Sequence, residues 1–408
     1  MTDRLYRGDP YLLEFEARVA ARAEHEGRAA LVLDRTAFYA ESGGQPWDTG
    51  ELSEGGRRWR VGAVVESAAG ILHVLEPDSP EPPAVDALVR GRVDALRRRD
   101  HRQQHHGQHL LSRAFVETAQ ARTMSFHLGA LECTVDLDRE VSAAQVSAAV
   151  RRANAVIWEA RPVSVRTVTR REAEDLGVAV PPEAGDAVRL VEAEGFDLQP
   201  CGGTHPQRTS EVGVVIALGH ERHKGGCRVR FACGERAVAV AEEQHALLRA
   251  AGAALSTGPE GVPAAASRVL EQLAEAGRRL RELQEQSMEA EAERLLAGAA
   301  PAADGRPLVV ARVYDGWDPG LLRQLALRVT ERAGTVALLA ARGETTALVF
   351  ARADDLALDV GALLQQTLSG LGGRGGGRGR VAQGGCARVD GIEPALAQAA
   401  AAASAPRG

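Results

Sequence analysis

Four side chains that could bind a metal occur as two pairs far apart in the sequence. His105 and His109 lie four positions apart in residues 94–115, which read as a helix, where such side chains share one face. Cys201 and His205 repeat this spacing on a segment bounded by glycine and proline. Three imidazoles and one thiolate suit zinc. The sequence therefore predicts a zinc site formed by all four side chains.

The pairing of two motifs makes this prediction stronger than either motif alone. One pair of histidines on a helix can occur by chance in a core or on a surface. Two pairs of residues that can bind a metal are less expected by chance. His106 is predicted not to bind the ion, because it points about 100° around the helix from His105. Cys133 and Cys233 are predicted to be buried thiols. Four protein ligands are typical of structural zinc and catalytic zinc usually keeps a position open, so both roles stay open.

Composition and charge limit the class of protein. A chain of 408 residues is expected to form about two to four domains. The net charge of −6 argues against a general nucleic-acid coat, although local basic runs exist. The sequence has no run of eighteen apolar residues and no signal segment, which predicts a cytoplasmic protein without a membrane span. Five scattered cysteines indicate reduced thiols rather than disulfides.

Residues 1–93 are predicted to form a small N-terminal β-barrel. Apolar and charged residues alternate over residues 13–19, as in a half-buried strand. Similar short strands are predicted at residues 29–34, 58–65, 71–75 and 85–93. Between them lie Gly43 and Gly44, which let the backbone turn sharply or approach a ligand. Taken alone, this segment is better interpreted as a hairpin loop.

Residues 94–236 are predicted to form an α+β core around the metal helix, with Asp94 as its N-cap. Arg97, Arg98, Arg99 and Arg102 occupy the first turns of this helix. They form either a solvated face or a set of contacts to backbone phosphates, and both interpretations stay open. The remaining predicted elements are strands at 132–137, 163–168, 187–192, 212–218 and 228–233 and a helix at 142–159.

Residues 237–300 are predicted to form a helical spacer, interrupted at 256–259. Its second arm places five apolar residues on one broad face, as in a helical hairpin or coiled coil: Val269, Leu273, Leu280, Leu283 and Met288. Such a segment is expected to act as a spacer or as the contact of a homodimer.

Residues 301–408 are predicted to form an α/β domain after a linker at 301–306. The predicted strands are at 308–313, 335–341 and 346–351, and the helices are at 320–332 and 355–371, with a last helix after Pro394. Residues 372–385 mix glycines with Arg374, Arg378 and Arg380. Exposed backbone N–H groups beside positive charge would suit phosphate or sugar oxygens. The alternative is a flexible arginine-glycine tract.

Several motifs together resemble one known family. They are Phe38-Tyr39 with residues 42–50, His105-x3-His109, residues 125–129 and the run from Cys201 to His205. This combination resembles the editing domain of alanyl-tRNA synthetases and the free-standing AlaX editing proteins. Residues 372–385 resemble the glycine-rich signature of the DHHA1 domain, which follows the editing domain in the synthetases and in long AlaX proteins.

The resemblance spans nearly the whole chain, with a few departures. Ala40 stands where proline is common, and Ser42 stands where glycine is often found. His106, Gly107 and Gln108 replace the small, Thr- and Ala-rich residues that are usual between the two histidines. Polar residues at these positions are expected to alter the rim of the pocket and so the fine specificity.

The resemblance implies a trans-editing aminoacyl-tRNA deacylase that hydrolyses the ester joining serine or glycine to tRNA(Ala). An editing site is needed because excluding glycine by one missing methyl is worth only about 1–3 kcal/mol and an added hydroxyl is poorly rejected. Zinc would orient the aminoacyl end and polarise water or the carbonyl. Because the chain begins at the barrel, it is expected to lack aminoacylation activity. The resemblance leaves ATP binding by this chain open.

The same resemblance assigns provisional roles to individual residues. Thr36 is the predicted partner of the seryl hydroxyl, and Gln45 is predicted to act on the substrate or the attacking water. Gly43, Gly44 and Thr204 are predicted to contact the substrate. The predicted RNA contacts are Arg97, Arg98, Arg102, Arg374, Arg378 and Arg380.

Three other functions stay in competition. One is a non-catalytic tRNA-binding protein in which zinc only staples two segments together. A phosphoesterase of the DHH type is disfavoured, because Asp100-His101-Arg102 replaces an Asp-His-His run and aspartates are not clustered. An editor of threonyl-tRNA synthetase products would use similar ligand spacing, but the DHHA1-like end favours the alanine system.

Overall fold

The computed structural model describes residues 2–130, 132–182, 185–299, 306–387 and 390–405. The chain clusters into two units, Met1–Ala251 and Gly252–Gly408. The predicted linker at 301–306 lies outside the described residues except for Arg306. No described helix is both long enough and apolar enough to cross a membrane. The predicted α+β class is confirmed, whereas the finer division into four domains stays a prediction.

The N-terminal strands close into the predicted barrel. The strands are β1 (Asp3–Arg4), β2 (Glu14–His25), β3 (Arg28–Leu33), β4 (Arg35–Thr36), β5 (Gly50–Glu54), β6 (Arg57–Ser67), β7 (Gly70–Leu75) and β8 (Leu88–Val93). Six of them form the closed order β2-β3-β7-β6-β5-β8, and β1 pairs with β4. From Phe15 to Val19 every second residue of β2 is buried, as expected for a strand with one face in a core. Phe38 and Trp59 fill this core and are fully buried.

A long helix, α1 (Ala95–Ala119), follows the barrel and carries the histidine pair. Its N-cap is Asp94, as predicted, and the Asp94 side chain accepts hydrogen bonds from the backbone N–H groups of Leu96 and Arg97. The predicted apolar stripe, which includes Leu111 and Phe115, is fully buried. Many of the other buried residues of α1 are polar. Other elements therefore pack against more faces of this helix than its apolar stripe predicts.

The remaining elements of the first unit support this helix. They are β9 (Thr123–Leu128), β10 (Cys133–Leu137), α2 (Ala143–Trp158), β11 (Val163–Thr169), α3 (Arg170–Asp175), β12 (Ala187–Ala193), β13 (Asp197–Pro200), β14 (Val215–His223), β15 (Gly226–Cys233) and α4 (Gly234–Ala254). One antiparallel sheet has the order β14-β15-β10-β9, and a second has the order β11-β12-β13. Cys133 and Cys233 are buried thiols, as predicted.

The second unit contains a long helix and a mixed sheet. Its elements are α5 (Val262–Gly298), β16 (Leu308–Asp315), α6 (Pro319–Val329), β17 (Thr335–Arg342), β18 (Thr346–Arg352), α7 (Val360–Gly370), β19 (Arg374–Gly376), β20 (Val381–Cys386) and α8 (Ile392–Ser404). The sheet order is β16-β17-β18-β20-β19, with only β16 and β17 parallel. Along α5, Leu273 and Leu280 are exposed, at 68% and 58%. Dimerisation through this helix stays a prediction.

The glycine-arginine segment forms a hairpin at the edge of the sheet rather than a loop of free N–H groups. Gly375 in β19 pairs with Gly384 in β20, and β20 also pairs with β18. A Cβ built on Gly375 would lie 2.6 Å from the Gly384 Cα and 2.7 Å from Leu368 Cδ1. These glycines therefore allow α7 to pack closely on the hairpin. The pairing with β20 occupies one edge of β19, while Arg374 and its neighbours Arg378 and Arg380 have exposed side chains.

Candidate metal centre

The four predicted ligands converge at one place in the first unit. Potential donor atoms of His105, His109, Cys201 and His205 all lie within 4.8 Å of one another. Nε2 of His105 lies 3.1 Å from Cys201 Sγ, and Nε2 of His205 lies 3.2 Å from the same sulfur. The histidine pair comes from α1, and the other pair comes from the loop after β13. The predicted convergence is confirmed.

The charges in this cluster favour the thiolate form that a metal requires. Burial raises the pKa of Cys201, but His105, His205 and His109 outweigh burial and hold this pKa well below its usual value. Burial lowers the pKa of His109, yet the Cys201 thiolate and Asp197 raise it to about 10. Burial lowers the pKa of His205 to about 3. A thiolate among imidazoles is a donor set that suits zinc.

Gln45 fixes the orientation of His105. The backbone N–H of Thr204 donates to Gln45 Oε1 at 3.0 Å, so this atom must be the amide oxygen. The same oxygen lies 2.8 Å from His105 Nδ1, which therefore donates and leaves Nε2 free for a metal. Gln45 Nε2 donates to Thr204 Oγ1 at 3.0 Å.

This geometry gives Gln45 and Thr204 a supporting position in the structure. Both are fully buried, and their polar side-chain atoms bond to each other and to His105. Direct contact of Gln45 with substrate or water, and of Thr204 with substrate, stays a prediction.

The other two imidazoles have polar groups near their second nitrogen, but only that of His205 forms a hydrogen bond. Nδ1 of His109 lies 3.5 Å from an Asp197 carboxylate oxygen. Nδ1 of His205 lies 3.1 Å from Nδ1 of His106. His106 is not part of the converging group, as predicted. Partners of this kind set the tautomer and the ring direction of metal-binding histidines.

Two features fix the loop from Cys201 to His205, one to β12 and one to α1. Nη1 of Arg189 donates to the carbonyl oxygens of Cys201 and Gly203, at 2.6 and 3.0 Å. A Cβ built on Gly203 would overlap the His105 ring. Glycine at this position is therefore needed for the loop to approach the helix.

A cavity of about 530 Å³ opens beside the donor atoms. Its lining includes His105, Cys201 and the turn that contains Gly43 and Gly44. Both glycines have positive φ, +53° and +78°, and a Cβ on Gly44 would lie 2.7 Å from the ring of Phe126. The predicted substrate contacts of Gly43 and Gly44 stay predictions, and their position at the cavity is compatible with them.

Thr36 is fully buried in the barrel, where its Oγ1 lies 2.8 Å from His73 Nε2. The backbone N–H of Phe38 donates to the same oxygen at 3.0 Å. The predicted role of Thr36 in recognising a seryl hydroxyl stays a prediction.

Two of the predicted RNA contacts are enclosed in this structure. Arg98 is 1% exposed and forms a buried ion pair with Asp48, with its Nε 3.0 Å from Asp48 Oδ2. Its Nη1 donates to the Pro10 carbonyl at 2.9 Å. Arg102 is 8% exposed and stacks on the ring of Tyr11, 3.9 Å from its centroid. Contact of Arg98 and Arg102 with RNA stays a prediction.

The other predicted RNA contacts remain accessible. Arg97 is half-buried, and its Nε donates to the Trp47 carbonyl at 2.9 Å. Arg374, Arg378 and Arg380 are exposed. Contact of these four residues with RNA stays a prediction.

Sequence reasoning missed Asp197 and Arg189 as supports of the centre, and it did not predict the contact of His106 with His205. Asp197 lies four positions before Cys201, so the nearness of a carboxylate to a ligand motif was the only available signal. Arg189 is twelve residues from Cys201 and faces it only because β12 and β13 pair. Such cross-strand neighbours depend on register, which the sequence does not state.

Comparison with known proteins identifies matching families along the chain. The description "tRNA synthetases class II (A)" matches residues 11–97, and "Threonyl and Alanyl tRNA synthetase second additional domain" matches residues 188–230. The description "DHHA1 domain" matches residues 305–405. The first two matches include the glycine turn and the Cys201–His205 motif.

Whole-chain relatives agree with these matches. Alanine–tRNA ligase of Natronomonas pharaonis is 33% identical over 410 residues, covering 97% of this chain and 43% of the ligase. The ligase of Pyrococcus abyssi is 32% identical over 400 residues, covering 94% of this chain and 42% of the ligase. The chain thus spans about two fifths of these ligases. The alanyl-tRNA editing protein AlaX-L of Pyrococcus horikoshii is 27% identical over 391 residues, with 94% of each chain covered. With its paired metal-ligand motifs and its match to the DHHA1 domain, the chain is similar over nearly its whole length to this editing protein and to part of the alanine–tRNA ligases.

Proposed function

We propose that this protein is a zinc-dependent deacylase that removes serine or glycine from mischarged tRNA(Ala). The observation that carries the proposal is the convergence of His105, His109, Cys201 and His205 beside an open cavity. The similarity to AlaX-L over 94% of both chains supports the same activity. A protein with this substrate would work in the cytoplasm.

The residues around the centre have distinct tasks in this reaction. Gln45, Asp197 and His106 hold the three imidazoles so that one nitrogen of each points to a common position. A zinc ion held there would supply a Lewis acid for polarising the ester carbonyl or a water molecule.

The cavity walls position the substrate. The turn at Gly43 and Gly44 has no side chain to block an aminoacyl-adenosine end, and Phe126 packs beside it. Holding an ester in a fixed pose next to an activating group is a large part of such catalysis. The exposed arginines Arg374, Arg378 and Arg380 are proposed to contact the tRNA backbone. A homodimer through the exposed apolar face of α5 is proposed as the assembly.

A second candidate is a tRNA-binding protein in which zinc is purely structural. The observation that favours it is the full set of four protein ligands, since structural zinc sites are closed in this way. The two candidates differ in turnover, because only the deacylase releases amino acid.

The decisive experiment measures zinc content and deacylation of Ser-, Gly- and Ala-tRNA(Ala) side by side. We expect the protein to contain zinc, to hydrolyse the seryl or glycyl ester and to spare the alanyl ester. Cys201→Ala should abolish both zinc content and hydrolysis, because it removes the sole thiolate of the site. Cys227→Ala, which removes a buried thiol outside the centre, is the matched control and should keep both.

Two results would contradict the proposal. A zinc-loaded protein without turnover on any mischarged substrate would favour the structural candidate. A Cys201→Ala variant with full zinc and full activity would refute the ligand assignment.

A further inference from the structure

The strand β9, which borders the cavity, contains one residue more than its pairing with β10 requires. Ser125 lies opposite Asp136 and Thr123 lies opposite Leu137, so Met124 has no opposite residue on β10. Such a β-bulge adds one residue to one strand and redirects the side chains around it. The extra residue of β9 is therefore a methionine.

The bulge explains how both ends of β9 face the metal helix α1. Oγ1 of Thr123 lies 2.6 Å from Oγ of Ser112 on α1. The ring centroid of Phe126 lies 6.2 Å from that of His105 on the same helix. In a regular strand, residues three positions apart point to opposite faces. The bulge removes this conflict, and Met124 is the residue that it leaves without a partner on the strand.

Met124 lies at the opening of the cavity. It is 71% exposed, and it lines the same cavity as the metal ligands His105 and Cys201. Single exposed apolar side chains are common on protein surfaces. This one lies on a bulge, a feature that is frequent beside active sites, and it borders the cavity of the metal centre. The two observations together indicate a ligand contact.

We propose that Met124 is a positioning residue on which the adenine base of the terminal nucleotide rests while the aminoacyl ester lies at the metal centre. This inference rests on the proposed deacylase function and assigns the part of the cavity that takes the nucleobase. The ester must reach the donor atoms to be hydrolysed. The nucleoside attached to it therefore extends toward the opening, where Met124 lies.

The chemistry of the side chain selects the base among the parts of a nucleotide. Phosphate and ribose are charged or hydroxylated, and they gain little from an apolar neighbour. The base presents a broad π-face, which stacks on flat or apolar side chains. The thioether of methionine is flexible and polarizable and packs favourably against aromatic rings. Met124 would bury its apolar chain only when the base is bound.

The test measures the binding of two non-hydrolysable serylamide ligands to the full chain. One ligand carries adenosine, and the other carries the same ribose without a base. The unmodified protein should bind the adenosine ligand more tightly. Met124→Ala should weaken binding of the adenosine ligand about tenfold, the effect of burying about two fewer methylene groups, and leave the baseless ligand unchanged. Met124→Leu keeps an apolar chain and should retain most of the affinity.

Trp158→Ala is the matched control, because Trp158 is an equally exposed apolar residue of the same unit, at 71%, at the end of α2. This variant should bind both ligands as the unmodified protein does. Equal weakening of both ligands by Met124→Ala, or weakening of neither, would overturn the inference. Zinc content should be the same in all variants, and a loss of zinc in Met124→Ala would overturn it as well.

Kinetics separate this inference from the proposed function. On Ser-tRNA(Ala), Met124→Ala should raise KM and leave kcat unchanged, because a contact with the base is the same before and during hydrolysis. An unmodified protein that hydrolysed no mischarged tRNA, yet bound the adenosine ligand through Met124, would refute the function and support the base contact. An active protein whose KM did not respond to Met124→Ala would support the function and refute the base contact.

Discussion

Neighbouring side chains orient the imidazoles of the metal centre, and the sequence did not predict this group of neighbours. Gln45 accepts from His105, Asp197 lies beside His109, and His106 contacts His205. The four ligands could be predicted because residue type and spacing alone indicate metal binding. Their supporting partners could not, because an amide or a carboxylate is equally common on a surface and only the fold brings it to a ligand.

The role of Gln45 leads to a test at this scale. Gln45→Leu should lower zinc affinity about 10- to 100-fold, because His105 Nδ1 loses the oxygen that fixes its tautomer. Competition with a chelator of known affinity measures the change. Gln45→Glu keeps an acceptor oxygen and should restore most of the affinity. Unchanged zinc binding in Gln45→Leu would show that Gln45 does not orient the ligand.

Among the elements, periodicity predicted strands and helices best where one face is apolar. The alternation in β2 and the stripe on α1 are examples, and both are confirmed. The strands β9 and β13 were missed although polar and apolar residues alternate along both, because at six and four residues they are too short for the alternation to stand out. The arginines of α1 were misjudged because charge suggests exposure, whereas Arg98 finds a buried partner in Asp48.

The barrel has a pH-sensitive element in β7. His73 is fully buried, with ring nitrogens near Thr36 Oγ1 and the Leu31 carbonyl oxygen, and burial lowers its pKa to about 4. An unfolded chain would take up a proton at this histidine near pH 6.5, before the folded chain does. The stability associated with neutral His73 is therefore present above pH 6.5 and is lost as the pH falls toward 4.

This shift predicts a measurable loss of stability in mild acid. Between pH 7 and pH 5, His73 should account for about 2 kcal/mol of the fall in the free energy of unfolding. His73→Gln, which cannot take up a proton, should show a correspondingly smaller fall in urea unfolding at the two pH values. An identical fall in both proteins would show that His73 is not the group responsible. His101, whose pKa burial also lowers to about 4, contributes equally to both proteins and cancels.

For the molecule as a whole, the order of barrel, metal core, helices and C-terminal sheet could be predicted, because motifs and composition change along the chain. The packing of the glycine-arginine segment could not, since the same residues suit a phosphate-binding loop and a hairpin covered by a helix. Its glycines pack against Leu368, and its arginine side chains stay exposed. The predicted contact of this hairpin with RNA would therefore use its arginine side chains.

A salt-dependence experiment tests this point on the full chain. Arg374→Ala combined with Arg378→Ala should weaken tRNA binding and reduce the slope of log affinity against log salt by about one unit for each phosphate that the variant no longer neutralises. Arg323→Ala combined with Arg332→Ala removes two exposed arginines of the same unit and should leave the slope unchanged. If both double variants gave the parent slope, the arginines of the hairpin would not bind RNA.

The buried ion pair of Asp48 and Arg98 restricts which substitutions this sequence can tolerate during evolution. Losing one partner would strand an uncompensated charge at a site with 1% exposure or less, at a cost of about 3–5 kcal/mol. Replacing both with apolar residues of similar volume would cost far less. Substitutions of Asp48 and Arg98 should therefore be tolerated only in combination, so that related sequences contain either both charges or neither.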